Sequence, residues 1–433
     1  MTLVPPMTAT QRLLAGTQSG VRLSYSQHLA VHGNLDLPDR RHGDAWRRSM
    51  LGELHASGLT GRGGGGFPTA RKLEAQRTSR RRPVMVINAM EGEPAAQKDS
   101  VLASYAPHLV LDGAEVLASI LNAASITVAV ARDNPGVNAS LTAAITERRD
   151  AGHAPFEITL VSPPGRYIAG EESALAHWLD GGNSMPTFRP TKPAELRVRS
   201  RQAVIDNAET AAHSALIARH GGAWFASVGS AGGTGTMLVT ASGAVRDPGV
   251  FEVAVGTPLR QILSLAGASS SITGILLGGY GGTFVGPEAL DAPLSREGLA
   301  AFGGNPGAGV MVVLDQSSCG ITETARITRW MAKESAGQCG PCVYGLPALA
   351  EDLERLARGE TRGRIEPQLT RHLDSIAGRG ACAHPDGVVR MVRSALSVFA
   401  SDIADHVAGR PCGAIRAATV LELPPNEGAI EWR

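Results

Sequence analysis

The chain has 433 residues, 43% of them hydrophobic, which is room for two to four domains with sizeable cores. Lys+Arg 41 against Asp+Glu 40 leaves a formal net charge of +1, which excludes a nucleic-acid binder working through bulk charge. No run approaches the ~18 apolar residues of a membrane span, and Met1–Gly20 lacks the apolar stretch of a signal peptide.

The elements follow in chain order. Residues 1–45 carry no strong periodicity and read as an irregular arm. Residues 46–232 alternate helix and strand, with strands expected at Val84–Ala89, Ile126–Ala131 and Phe156–Val161 and helices at Trp46–Leu59, Leu109–Leu121, Val137–Arg149, Glu171–Leu179 and Asn207–Ala218. That alternation implies a layered α/β domain with a mostly parallel sheet. Residues 233–300 hold short β-like runs around one helix, Pro258–Ala266, as in a β-grasp module. Residues 301–318 read as a linker with one strand, Val310–Leu314. Residues 319–412 read as a helical domain, including one long helix over Val388–Val407, and 413–433 as a tail.

The densest motif is Gly61-Arg62-Gly63-Gly64-Gly65-Gly66-Phe67-Pro68-Thr69-Ala70-Arg71-Lys72, with five glycines in six positions. Glycine lets a backbone approach another body closely, and Pro68 suits the first turn of a helix. The free N–H groups and dipole at a helix start favour an anion such as a phosphate. Gly61, Gly63 and Gly66 also spell GxGxxG. A dinucleotide fingerprint needs a strand before that loop, and a helix precedes this one, so the ordinary Rossmann reading fails. A plain glycine linker is the alternative.

Three acidic motifs follow β-like runs: Asn88-Ala89-Met90-Glu91-Gly92-Glu93-Pro94, Tyr167-Ile168-Ala169-Gly170-Glu171-Glu172, and Asp206-Asn207-Ala208-Glu209-Thr210. In a parallel sheet they converge on the C-terminal edge, where ligands of layered α/β proteins bind. Helix capping is the competing role for the last two.

The five cysteines, Cys319, Cys339, Cys342, Cys382 and Cys412, fall late in the chain, unlike a secreted disulfide scaffold, and point to a cytoplasmic protein with one local cysteine site. Cys339-Gly-Pro-Cys342 with Cys382-Ala-His384 suits structural zinc or an iron–sulfur cluster equally, with a redox dithiol behind them. Cys319 and Cys412 stand alone, and for each the bland role is a small buried apolar residue. Arginines cluster at Arg77, Arg80, Arg81 and Arg82 and at Arg197, Arg199 and Arg201, as solvated loops or as a docking surface for an acidic protein.

Together the motifs resemble one family, the flavoprotein subunit of respiratory complex I shared by NAD-linked hydrogenases and formate dehydrogenases. Gly61–Lys72 is similar to its RGGxGFPTGxK loop, Asn88–Pro94 to NADEGEP, Tyr167–Glu172 to YICGEE, Asp206–Thr210 to NNVET, and Glu334–Cys342 to ESCGxCxPC. The resemblance implies an FMN-binding α/β domain, a soluble-ligand-binding β-grasp module and a C-terminal helical bundle carrying an iron–sulfur site. It implies FMN contacts at Gly61, Arg62, Gly63, Gly64, Lys72, Asn88, Glu91, Tyr167, Gly170, Glu171, Asp206, Asn207 and Thr210. It implies NADH contacts at Phe67, Glu93 and Glu172, with the two glutamates near the hydride site. Cys339, Cys342 and Cys382 would ligate a 4Fe-4S or 3Fe-4S cluster, with His384, Cys319 or Cys412 as candidates for a fourth ligand.

The departures from the family pattern are specific. Met90 replaces an aspartate, Ala169 a cysteine, Asp206 an asparagine, and Ala336 the first cluster cysteine. Ala75 and Lys192 stand where the family places aromatics that sandwich adenine. Losing two stacking contacts implies roughly 30-fold weaker NADH binding. The expected function is electron transfer from a reduced donor through FMN to a cluster and on to a partner protein. The alternatives are the same flavoprotein exchanging electrons with a ferredoxin docked on the arginines, and a non-catalytic zinc-binding assembly subunit.

Overall fold

The computed structural model describes residues 11–38, 43–76, 81–188, 196–230, 232–360, 365–410, 412, 419–424 and 431–433. The first sheet comprises β1 (Val84–Ala89), β2 (Ser125–Val130), β3 (Ile158–Val161), β4 (Arg197–Val198) and β5 (Arg201–Asn207), in the order β3-β2-β1-β5-β4. β1, β2, β3 and β5 run parallel, and the short edge strand β4 is antiparallel to β5. β1 is a nearly unbroken apolar run because helices cover both faces of a parallel sheet. Its register with β5 sets Asn88 beside Asn207 at the C-terminal edge.

Two helices, Pro107–Leu121 and Ala208–His220, press together on this sheet. Every residue of the first is buried. The approach depends on Gly113, where an added Cβ would stand 1.8 Å from the Ala211 carbonyl oxygen.

The expected irregular arm is ordered over 11–38. Tyr25–His32 is a helix opened by a capping box between Ser24 and Gln27. Upstream, Leu13 and Leu14 are buried, and the N–H groups of Arg12, Leu13 and Leu14 all donate to the Glu252 carboxylate. That anchor is almost 240 positions away in the chain, so no local pattern announces it.

A hairpin, β6 (Gly229–Ser230) with β7 (Gly233–Thr234), leads into the second sheet. This sheet contains β8 (Thr236–Gly243), β9 (Gly249–Ala254), β10 (Ile272–Leu277), β11 (Thr283–Val285) and β12 (Val310–Asp315), in the order β11-β10-β12-β8-β9. β12 pairs parallel with β8, and the other pairs are antiparallel. With the helix Leu259–Leu265 this is the β-grasp arrangement. The strand expected inside a linker is the sheet's central strand, buried along almost all its length. A continuous apolar strand of this kind belongs at a sheet centre, and its partners are not its chain neighbours.

The helical domain contains Gly320–Lys333, Leu346–Ala357, Ile365–Ile376, His384–Val398 and Ala400–Val407. The single helix expected over Val388–Val407 is two, broken at Phe399 (φ −103, ψ 33). Its ring packs edge-on against Phe284, 5.2 Å away, and so holds the break against the second sheet. The apolar face of this domain shares one core with Leu276, Phe284, Val310, Val312 and Leu314 of that sheet. The C-terminus returns to the first domain, where the Ser184 N–H donates to the Trp432 carbonyl at 2.6 Å. Among the described residues, no helix is long and apolar enough to cross a membrane.

Candidate functional site

The C-terminal edge of the first sheet opens on a cavity of about 530 Å³. Its wall takes Gly63 and Gly64 from the glycine loop, Asn88, Glu91 and Glu93 from the loop after β1, and Tyr167, Gly170 and Glu171 from the turn after β3. Asn207 enters from the end of β5, and Gly278, Gly281 and Gly307 from the second sheet. Cys382 and His384 of the helical domain complete it. Three chain regions of different texture therefore share one concavity.

Backbone constraints shape each loop. Asn88 donates to the Gly170 carbonyl at 2.7 Å and accepts the Met90 N–H at 3.1 Å, tying the first two acidic motifs together. Glu91 adopts φ +42, a strained conformation for a residue with a side chain. Its carboxylate accepts the N–H groups of Asp99 and Ser100 at 2.8 Å and so caps the helix Lys98–Tyr105. Glu171 caps Glu172–Leu179 through the N–H groups of Ser173 and Ala174, and Asn207 caps Ala208–His220 through that of Glu209. Capping and cavity lining coexist in these three residues. Gly92 is held so tightly that a Cβ would come within 2.7 Å of the Tyr167 carbonyl oxygen.

The glycine loop runs into the helix Thr69–Gln76, as expected. Gly64 adopts φ +99, open to glycine alone. Other predicted residues of this region do not line the cavity. Gly61 closes the loop by donating to the Phe67 carbonyl at 2.8 Å. The Arg62 N–H donates to Thr210 Oγ1 at 2.9 Å, and its buried guanidinium donates to the Thr236 carbonyl at 3.0 Å, beside Glu209. Arg62 and Thr210 thus fasten the loop to its neighbours. Phe67 is 57% exposed. Lys72 pairs with Glu172 at 2.8 Å and Asp206 at 3.4 Å and also donates to the Ile205 carbonyl. Burial opposes the Lys72 charge, but Asp206 and Glu172 outweigh it and raise the amine above the ordinary lysine value. The negative charge that Asp206 brings is therefore answered by Lys72.

Met90 and Ala169, two of the departures, lie in one apolar cluster under the site. Ala75 is exposed, and Lys192 lies outside the described residues.

One residue the motif reading missed is central. Lys98 is buried, with Nζ 2.9 Å from Asp99, 3.0 Å from Glu209 and 3.2 Å from Asn207 Oδ1. It also lines both this cavity and a second one of about 310 Å³ behind the glycine loop. Its only sequence signal is an adjacent Lys98-Asp99 pair shortly after Glu91.

The acids divide by partner. Glu93 accepts the Tyr280 N–H at 2.8 Å and that of Ala95 at 3.3 Å, and bonds the Tyr167 hydroxyl, yet no cation among the described residues pairs with it. Burial pushes Glu93 up to about 7, and burial together with Asp99 does the same for Glu91. Burial works the same way on Glu209, but Lys98 and His213 overcome it and hold Glu209 at about 2. Between the ordinary 4.5 and 7, folded Glu91 and Glu93 bind more protons than the unfolded chain, so stability falls as pH rises through that window. The Glu209 contribution is present above 4.5 and is lost as pH falls toward 2. In calorimetric melting of flavin-free protein, the melting temperature of Glu93→Gln relative to the unaltered protein is therefore expected to rise as pH rises from 4.5 to 7, because the variant lacks the Glu93 contribution. A relative melting temperature that stays level or falls across that window would contradict this.

At the other end of the cavity Cys382 lies on the wall, and Cys339 and Cys382 are both near enough to Cys342 to act on its thiol. Burial, then the Cys339 thiol and next Cys382, push Cys342 up to about 12, with the Ser335 side chain bonding it in opposition. Burial also raises the half-buried Cys382 thiol, and a cation that takes both as thiolates relieves that cost. Cys319 and Cys412 do not join it. Cys319 caps the start of Gly320–Lys333, and the Cys342 neighbour Ser335 lies past its end. A helix of 14 residues separates them by about 20 Å. Cys412 lies with Cys319, so both are ruled out as the fourth ligand. His384 remains on the cavity wall: Nε2 donates to the Met331 carbonyl at 2.9 Å, and Nδ1 is buried without a partner among the described residues. Its ring packs edge-on against Tyr167 at 5.6 Å. Glu334 joins the two halves by accepting the Tyr167 N–H at 3.1 Å and pairing with Arg166 at 3.0 Å.

Residues 54–215 match the Nuo51 FMN-binding domain, and residues 322–406 match the NADH-ubiquinone oxidoreductase-F iron-sulfur binding region. The NADH-quinone oxidoreductase F subunit of Streptomyces coelicolor is 30% identical over 376 residues, 84% of each chain. Its counterpart in Mycobacterium tuberculosis is 33% identical over 373 residues, covering 82% of this chain and 84% of that one. The chain belongs to the family of NADH-quinone oxidoreductase F subunits. Among solved structures, an NAD+-reducing [NiFe]-hydrogenase in the H2-reduced state superimposes with a TM-score of 0.78 at 27% identity, covering 84% of this chain. The chain spans 64% of that hydrogenase chain's length. This family member is accordingly an FMN and iron–sulfur oxidoreductase of the NADH-dehydrogenase type, with an FMN-binding α/β domain and a helical iron–sulfur domain.

The residues present fit both groups. Glycine backbone at Gly63, Gly64, Gly170, Gly278, Gly281 and Gly307 lines the cavity of about 530 Å³, leaving no side chains there to fill the space a flavin would take. The thiols form a soft donor set beside it, which suits iron or zinc and not a hard cation.

Proposed function

We propose that the cavity between Gly63, Asn88, Glu93, Tyr167 and Asn207 holds FMN, and that Cys339, Cys342 and Cys382 hold a cluster reached across Tyr167 and His384. The observation that carries this reading is the single cavity wall shared by the three acidic motifs and Cys382. FMN when bound accepts two electrons and releases them one at a time. The chain supplies the rest. Asn88 and Asn207 fix the loops, Lys98 neutralises the acids beneath them, and Glu93, at about 7, holds or gives up a proton near neutral pH.

The reduced donor on this reading is a nicotinamide, entering where Glu171 and Pro186 line the cavity. Its adenine is weakly held, because Ala75 offers no ring. Phe67 and Phe188, 57% and 67% exposed, are the exposed phenylalanines among the described residues, and Phe188 follows Pro186 of the cavity wall by two positions. The acceptor is a partner subunit or small electron carrier that docks beside Val343 and Tyr344, exposed directly after Cys342. The described arginines Arg81, Arg82, Arg197, Arg199 and Arg201 are poorly placed for a ferredoxin that must reach the flavin. They lie at the N-terminal ends of β1 and β5, about 20 Å of strand from the cavity edge. We read the location as cytoplasmic, where such thiols stay reduced.

Anaerobic purification followed by titration with NADH, NADPH and reduced ferredoxin tests the reading. We expect FMN and iron in the isolated protein and bleaching of the flavin by NADH at concentrations well above those a full aromatic clamp needs. Protein that binds no FMN would overturn the reading, and bleaching by ferredoxin alone would overturn the donor assignment.

A further inference from the structure

Three ligand-bearing side chains outside the flavin and cluster region converge at the far end of the helical domain. Cys319, His406 and Cys412 are buried, and their ligand atoms all lie within 4.8 Å of one another. Cys319 Sγ is 3.3 Å from His406 Nε2. The three come from separate segments. Cys319 sits in the turn between β12 and the helix Gly320–Lys333, His406 in the last turn of Ala400–Val407, and Cys412 beyond that helix.

We propose that Cys319, His406 and Cys412 bind one zinc ion, separate from the Cys339, Cys342 and Cys382 set. Two thiolates and an imidazole are a soft set that zinc takes tetrahedrally, at about 2.3 Å to sulfur and 2.0–2.1 Å to nitrogen. Ligand atoms around such an ion stand roughly 3.5–3.8 Å apart, so pairs within 4.8 Å close by about 1 Å at most, while Cys319 Sγ and His406 Nε2, 3.3 Å apart, open slightly. Both cysteines give up their protons on binding. The surroundings suit a thiolate. The Thr322 N–H donates to Cys319 Sγ at 3.3 Å, as N–H groups around zinc-bound sulfur do. Asp402, one turn before His406, accepts the Gly320 N–H and lies outside the three-ligand group, so the remaining position is left to water.

Packed apolar cysteines are the competing account, and it leaves a buried imidazole aimed at a thiol. The zinc would be a staple. It would join the exit of the second sheet, the last helix and the segment that continues to 419–424. That segment lies back on the domain, where the Val420 and Leu421 N–H groups donate to Glu323 and the Tyr280 hydroxyl donates to the Glu422 carbonyl.

Zinc K-edge absorption on the intact holoprotein decides the matter, because iron and flavin do not contribute at that edge. We expect about one zinc per chain with two sulfurs and light-atom ligands. The double variant Cys319→Ser/Cys412→Ser is expected to lose the zinc while keeping its iron and FMN. Protein grown with added zinc that contains none overturns the proposal. So does a zinc shell of three sulfurs, which would place the ion on Cys339, Cys342 and Cys382, and so does a Cys319–Cys412 disulfide in a mass spectrum of unreduced peptide. Should the double variant fail to fold, the spectrum of the unaltered protein still decides.

Discussion

Cys342→Ser protein, purified anaerobically, is expected to retain FMN and lose its iron. Ala336 stands where the family has another cysteine, so the proposed ligand set has three thiolates, of which Cys342 is the most deeply buried. A serine hydroxyl is a hard, protonated oxygen in a soft site. Loss of an outer partner alone costs 10–100-fold in metal affinity, so loss of a direct ligand costs roughly a hundredfold or more. The flavin pocket has its own supports in Asn88, Glu91 and Asn207, none of which touches Cys342. Reduction of the flavin by NADH should therefore survive, while transfer to a one-electron acceptor stops. The companion variant Ala336→Cys should raise iron content and make it more resistant to loss. Iron content unchanged in Cys342→Ser would remove this cysteine from the ligand set.

Lys98→Met should unfold the chain more readily than any single change at the predicted contact residues. Lys98 is the shared cation of Asp99 and Glu209, all three buried. Methionine matches its length and leaves two carboxylates without that cation. Breaking a buried ion pair from one side costs about 3–5 kcal/mol. For a protein of this size each kcal/mol moves the melting temperature by roughly 2–4 °C, so a fall on the order of 10 °C is expected, with loss of bound FMN. The double variant Lys98→Met/Glu209→Gln should recover part of it, since the neutral amide no longer needs the cation. A drop under about 1 kcal/mol by urea unfolding would show Lys98 to be one of the many surface-like pairs that contribute little.

These two sites differ in how visible they were. The proposed ligands Cys339, Cys342 and Cys382 are legible through spacing, because a metal site needs particular atoms at close range and CxxC supplies two of them locally. Lys98 is silent. A lysine in the first turn of a helix reads as exposed, and only the packing of Asn207 and Glu209 from a strand and helix over a hundred positions away turns it inward. The cysteine pair Cys319 and Cys412 was visible as residues but not as a site, since their meeting at His406 depends on how the last helix folds back.

Sequence alone determined the order of layers, the glycine loop and its helix, and the three acidic loops. It also determined the family resemblance with its departures at Met90, Ala169 and Ala336. All of these are properties of contiguous residues: hydrophobic period, glycine density and fixed spacing. Tertiary structure alone decided which of those residues face the cavity. It turned Arg62, Lys72 and Thr210 into fasteners of the glycine loop, made β12 the centre of a sheet instead of a linker, and docked the arm on Glu252. The reason is common to all of them. A side chain's direction is set by partners from distant chain segments, and burial of an ion or a strand edge is satisfied only after those segments have met.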